Sequence, residues 1–169
     1  MSSPAVEPLA PEAARALRLE IEEFHAAYCA ALDEGRLAEW PSFFSDDALY
    51  RITARENEDA ALPVGLVYCE GAGMLRDRVL ALTKTAMYAP RYLQHHVSNV
   101  RVLGRDAAGA IVARANYLLL QTLVDEKTTL QQAGRYLDRF ARREGRLLLC
   151  ERHCVYDTLL IDNSLVMPV

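Results

Sequence analysis

The chain predicts an α+β fold, with helices first and then a run of long strands joined by tight turns. Three observations carry this. Up to Tyr88 the apolar residues recur at helical spacing in two segments. From Arg91 to Asp162 they fall instead in long strand-like stretches between short turn signals. The 169 residues suit one domain with a real core, and no repeat, low-complexity tract or linker divides them. A single domain is therefore expected over residues 12–169. Residues 1–11 are expected as a flexible arm, because Pro4, Pro8 and Pro11 block regular pairing.

Each element follows in order. Leu17, Ile21, Phe24, Tyr28, Ala31 and Leu32 make the apolar stripe of a first helix, and Gly35 stops it. A short helix is expected around Pro41–Phe44, closed by Asp46. "ALYRITAR" reads as a strand that ends in the charged loop "ENEDAALP", and "VGLVYCEG" as a short second strand. Gly71 and Gly73 break the chain before "MLRDRVLALTKTAMY". There Leu75, Val79, Leu82 and Ala86 predict a second helix, ended by Pro90. Four long strands follow: "YLQHHVSNVRVLG", "AIVARANYLLLQTLVD", "LQQAGRYLDRFARR" and "RLLLCERHCVYDTLLI". The turns between them are "RDAAG", "EKTT" and the hairpin signal "EG". Such strands in one curved sheet can wrap the first helix as a cone, whose inside is either a pocket or a core.

Composition excludes several function classes. The net charge of −4 is made of interspersed signs, which predicts no nucleic-acid footprint and no membrane-surface helix. The N-terminus lacks a basic region followed by an apolar one, so it does not read as a secretory signal. No apolar run approaches the ~20 residues of a membrane helix. Cys29, Cys69, Cys150 and Cys154 form no compact disulfide framework, so reduced, buried thiols in the cytoplasm are expected.

The chemical candidates are few. His95 and His96 are adjacent, which invites a metal or a general base, but successive side chains of a strand point to opposite faces. His95 is expected with Leu93, Val97, Asn99 and Arg101, and His96 with Tyr92, Gln94, Ser98, Val100 and Val102. One ring then sits in a core or interface hydrogen bond and the other on the opposite face. "CERH" gives a Cys-x-x-His spacing, half of a Rieske signature, but no Cys-x-His accompanies it. Cys150 and Cys154 lie roughly 13 Å apart on an extended strand, too far to share a metal. His25, His95, His96 and His153 offer no local spacing for a two-His-one-carboxylate iron site. "EGAGM" lacks the Gly-Lys-Ser/Thr ending of a phosphate loop and reads as helix entry. One acid–base arrangement remains: Asp47, Tyr50 and His96 converging in a cone pocket would suit a stand-alone dehydratase or isomerase. The alternative is that Asp46 and Asp47 terminate a helix and Tyr50 packs.

The segments "FHAAYCAALDEGRLAEWPSFFSDDALYRITARENED", "GMLRDRVLALTKTAMYAPRYLQHHVSNVRV" and "GRYLDRFARREGRLLLCERHCVYD" together resemble the small (beta) subunit of aromatic-ring-hydroxylating dioxygenases. The likeness spans about residues 17–169. Its most specific parts are Asp77–Val79, Tyr50–Arg51 and residues 95–102. His95 matches the family histidine, whereas His96 replaces an apolar residue and Gln94 an arginine. The tail and the loop "RENEDAALPVGLVYCEG" resemble the branch acting on carboxylated aromatics such as terephthalate, benzoate or salicylate.

The resemblance implies a cystatin-like cone and a cytoplasmic, non-catalytic subunit without cofactors of its own. The Rieske [2Fe-2S] cluster and mononuclear Fe(II) are then expected in a large (alpha) subunit. It further implies an α3β3 assembly with beta–beta contacts, and only indirect contact with the reductase or ferredoxin. Interface residues are expected at Arg76, Asp77, Arg78, Arg91, Tyr92, His95, Asn99 and Arg101, because arginine and tyrosine combine contact area with fixed donors.

Overall fold

A computed structural model describes residues 6–161 and 165–169. Helix α1 (Pro11–Asp33) opens with Pro11 in its first turn, where a missing N–H costs nothing. It buries Leu17, Ile21, His25, Tyr28 and Leu32. Its end is a Schellman motif: Gly35 at φ +73° donates to Leu32 O, and Arg36 N donates to Ala31 O. A 3₁₀ turn (Leu37–Phe43) buries Trp40 and leads into β1 (Phe44–Ala54). Asp46 and Asp47 therefore lie within a strand, past a register shift between Phe44 and Leu49, and do not close a helix.

The expected charged loop begins as a short helix, α2 (Arg55–Asp59), before β2 (Val67–Glu70). Helix α3 (Gly71–Leu80) starts three residues before the expected segment and passes into one π turn over Ala81–Thr85. The stripe thus ends at buried Leu82, and Ala86 is exposed. Thr83 and Thr85 hydroxyls donate back to Val79 O and Ala81 O, which competes with regular helix hydrogen bonding and widens this last turn.

The four long strands form as expected: β3 (Arg91–Arg105), β4 (Ile111–Leu123), β5 (Thr129–Arg143) and β6 (Arg146–Tyr156). The sheet order is β2-β1-β6-β5-β4-β3. Only β1 and β6 pair in parallel, so the α+β sheet is mixed. The sheet wraps its apolar face around α1, and Ile21, Tyr28, Trp40, Tyr50, Tyr117, Tyr136, Phe140 and Leu149 make the core of the resulting cone. Close strand contact shapes the wall at Gly134, where a Cβ would stand 2.3 Å from Val155 O.

Of the expected arm, residues 1–5, including Pro4, lie outside the described residues. Glu7 exchanges backbone hydrogen bonds with Arg105 of β3, at 2.7 and 2.9 Å. That contact and the carboxylate of Asp33, which accepts the His95 backbone N–H at 2.9 Å, occupy part of the free β3 edge.

Candidate functional site

The acid–base arrangement considered from the sequence is not assembled. Tyr50 is fully buried, and its hydroxyl accepts a hydrogen bond from Val169 N at 2.9 Å. Asp47 is exposed and accepts from Ser45 Oγ, a bond that holds its carboxyl below the usual range. It lines an outer groove with Arg139, Arg142 and Arg143. His96 is exposed on the convex side of β3. These three groups face an aromatic core, a surface groove and the outer sheet face, so they share no reaction centre.

Aromatic side chains pack inside the cone. The Trp40 indole donates to the Tyr28 hydroxyl at 2.8 Å, and that hydroxyl donates to Val169 O at 3.0 Å. Val169 is itself completely buried and closes this part of the core. Deeper lies a charged cluster the sequence reading missed. Arg152, fully buried on β6, donates through Nε and Nη2 to Asp138 at 3.0 and 2.7 Å. Its guanidinium is held between the rings of Tyr28 and Tyr136, 4.2 and 4.0 Å from their centroids.

Arg152 also donates to Nδ1 of His25 at 3.0 Å, which leaves the neutral imidazole proton on Nε2, facing Asp138. Burial and then repulsion by Arg152 push the His25 pKa well below its ordinary value. Burial also raises the Asp138 carboxyl despite Arg152, and Asp138 keeps Arg152 firmly protonated. The signal for this cluster was one arginine, between Glu151 and His153 in "LLLCERHCVY", whose inward position is legible only once register is known.

The expected contact residues do not form one patch. Arg76 and Asp77 are exposed on α3. Arg78 donates to Val166 O at 3.0 Å and so ties α3 to the tail. Arg91 donates to Gln121 Oε1 at 2.9 Å, whereas Tyr92 beside it is 75% exposed. The His95 side chain is buried, with Nδ1 2.5 Å from Asp33 Oδ1, while His96 points outward, as strand alternation requires.

The expectation that Asn99 and Arg101 share the His95 face is corrected. A bulge between Ser98 and Arg101, with Asn99 at φ +55°, reverses the strand's phase. Val100 turns inward and Arg101 joins His96 and Ser98 on the outside. Arg91 and Arg101 are ~33 Å apart at the rise of a strand.

Among the described residues no three of His, Cys, Asp and Glu come together as a metal site. No helix among them is long and apolar enough to cross a membrane.

Comparisons with known proteins assign this architecture. A family model described as the ring hydroxylating beta subunit matches residues 28–163. The chain is 34% identical over 151 residues to the anthranilate 1,2-dioxygenase small subunit of Burkholderia cepacia, covering 89% of this chain and 92% of that one. It is 30% identical to a terminal oxygenase beta subunit of terephthalate 1,2-dioxygenase from Comamonas sp, covering 89% and 97%. A crystal structure of a beta subunit assigned to an aromatic-ring-hydroxylating dioxygenase from Novosphingobium aromaticivorans superposes with a TM-score of 0.84 at 39% identity, covering 93% of this chain and 99% of that one. Matched almost throughout its length, this chain belongs to the ring-hydroxylating beta subunits, the small subunits of multicomponent aromatic-ring-hydroxylating dioxygenases.

Proposed function

We propose that this chain is the non-catalytic assembly subunit of an oxygenase acting on a carboxylated aromatic compound in the cytoplasm. The match to small subunits over nearly the whole chain carries this reading. Two of those relatives are named for anthranilate and terephthalate, both aromatic carboxylates. The interior supports a role in contact rather than turnover, since Tyr28 is bound to Val169 and Arg152 to Asp138 there.

In this reading the chain is one cone domain, residues 12–169, and three copies hold three large subunits in an α3β3 arrangement with beta–beta contacts. The large subunits carry the Rieske cluster and the mononuclear iron, and the reductase or ferredoxin reaches this chain only indirectly. Arg76, Asp77, Tyr92, Asn99 and Arg101 supply exposed contact groups. Arg78, Arg91 and His95 hold the elements that present them.

Co-expression with the large subunit of the same oxygenase tests this. The two chains are expected to co-purify with the brown Rieske absorption, and the complex to consume oxygen with an aromatic carboxylate. A chain that binds no Rieske large subunit overturns the assembly role. A complex that oxidises only uncharged aromatics overturns the substrate class.

A further inference from the structure

The inner side of the cone holds a line of polar atoms whose hydrogen bonds the fold does not complete. Along one face of α1, His25, Cys29 and Asp33 follow at every fourth position. His25 meets the Arg152–Asp138 pair, and Asp33 meets His95. The short thiol of Cys29 stands between these ends, within electrostatic reach of both Arg152 and Asp33.

Against this face the sheet presents a connected stack. The Arg152 guanidinium lies 4.0 Å over the Tyr136 ring, and Tyr136 stacks on Tyr117 with 4.6 Å between ring centres. The Tyr117 hydroxyl in turn donates to Gln132 Oε1 at 2.7 Å. Arg152, Tyr136 and Gln132 are all completely buried. Each still carries one group without a hydrogen-bond partner: Arg152 Nη1, the Tyr136 hydroxyl and Gln132 Nε2. Nη1 is the nitrogen that Asp138 does not use, since Nε and Nη2 donate to that carboxylate. A fourth unpartnered atom, His95 Nε2, stands across Leu119 from Gln132, two strand spacings or about 10 Å away in the sheet. Nδ1 of His95 faces Asp33, so Nε2 of the neutral ring is an acceptor.

A buried donor left unmade costs the desolvation of its group, and native folds rarely leave one so. Three on one stack call for an acceptor that neither wall supplies. An anion does not suit, because Asp138 already balances Arg152 and a second carboxylate, Asp33, stands at the far end. Water does suit: it accepts from donors and also donates, and His95 Nε2 can take what it donates. We propose that the seam between α1 and the sheet is a built site for structural water. Water oxygens accept from Arg152 Nη1, the Tyr136 hydroxyl and Gln132 Nε2, and a water proton reaches His95 Nε2. The polar interior of the cone is thus completed by solvent held on the side of Arg152 away from Asp138. The site lies within one copy of the chain, so its test is independent of the assembly reading.

Tyr136→Phe in the full chain tests it, because this hydroxyl has no protein partner to lose. In a dry seam the substitution removes an unsatisfied donor, and the urea midpoint stays or rises. In a hydrated seam it removes a bond to water and keeps the ring stack, so the midpoint is expected to fall by ~0.5 M. A crystal structure of the full chain soaked in bromide gives a second readout. Water peaks within hydrogen-bond distance of Arg152 Nη1 and Gln132 Nε2, without anomalous signal, are the expected result. An anomalous bromide peak at Nη1, a seam without solvent density, or a midpoint that does not fall overturns the proposal.

Discussion

Asp138→Asn keeps the side-chain volume and removes the one negative charge that faces Arg152. Both residues are essentially without solvent contact, so no water replaces the lost carboxylate. The two hydrogen bonds at 3.0 and 2.7 Å join charged groups, and each is worth about 1.5–3 kcal/mol when its partner is left unpaired. The amide oxygen still accepts one of them. The rings of Tyr28 and Tyr136, at 4.2 and 4.0 Å, continue to stabilise the cation. The net loss is expected at about 3 kcal/mol, the low end of the range for breaking a buried pair. A domain of this size is stable by ~5–15 kcal/mol. At about 2 kcal/mol per molar urea, the unfolding midpoint should fall by ~1.5 M.

The pair itself adds little beyond specificity, because burial raises the Asp138 carboxyl in spite of Arg152. Accordingly Arg152→Met/Asp138→Leu should unfold within about 1 kcal/mol of the wild type. Urea denaturation followed by circular dichroism measures both variants. A loss below ~1 kcal/mol for Asp138→Asn, or a double variant as unstable as the single one, refutes the reasoning.

Two further outcomes follow from the same structure. His25 and His153 are both neutral in the fold; burial and then Arg51 push His153 down to about 4. As pH falls below the unfolded value the unfolded chain takes up protons first, so stability drops between pH ~6.5 and 5, by up to ~2 kcal/mol for His153. Glu58, 3.6 Å from its Nε2, reduces this loss, and His153→Gln should flatten the curve; a flat wild-type profile over that window would contradict the burial argument. At the β3 bulge, Asn99→Gly should change stability by only a few tenths of a kcal/mol and Asn99→Val should cost ~1–2, because a branched residue resists φ +55°. Equal melting temperatures for the two variants would remove the left-handed bulge from the account.

Much of the architecture was legible in the chain. Helix α1 announced itself through its apolar stripe and the stop at Gly35, and the four long strands through their turn residues, since both signals are local. The far end of α3 was not legible, because two threonine hydroxyls compete there with the helix ladder. Strand alternation separated His95 from His96 correctly. It failed two residues past Val97, because a one-residue bulge reverses the side chains that follow it, up to the next register shift after Val102, and leaves no mark in the sequence beyond an asparagine.

By itself the sequence determined the order of elements, the absence of a local metal-ligand spacing and, through its resemblance, membership of an assembly family. Only the tertiary structure decided what the inside of the cone contains. Whether Tyr50 lines a pocket or packs depends on Val169, 119 residues away in the chain. Likewise, whether Arg152 is surface charge or core depends on the register that sets it against Asp138 and between two tyrosine rings. The arginines of the convex face became a surface when pairing placed Arg101 opposite Arg114. Long-range register joins residues that no local pattern connects, and for that reason the contacts became visible only in the folded chain.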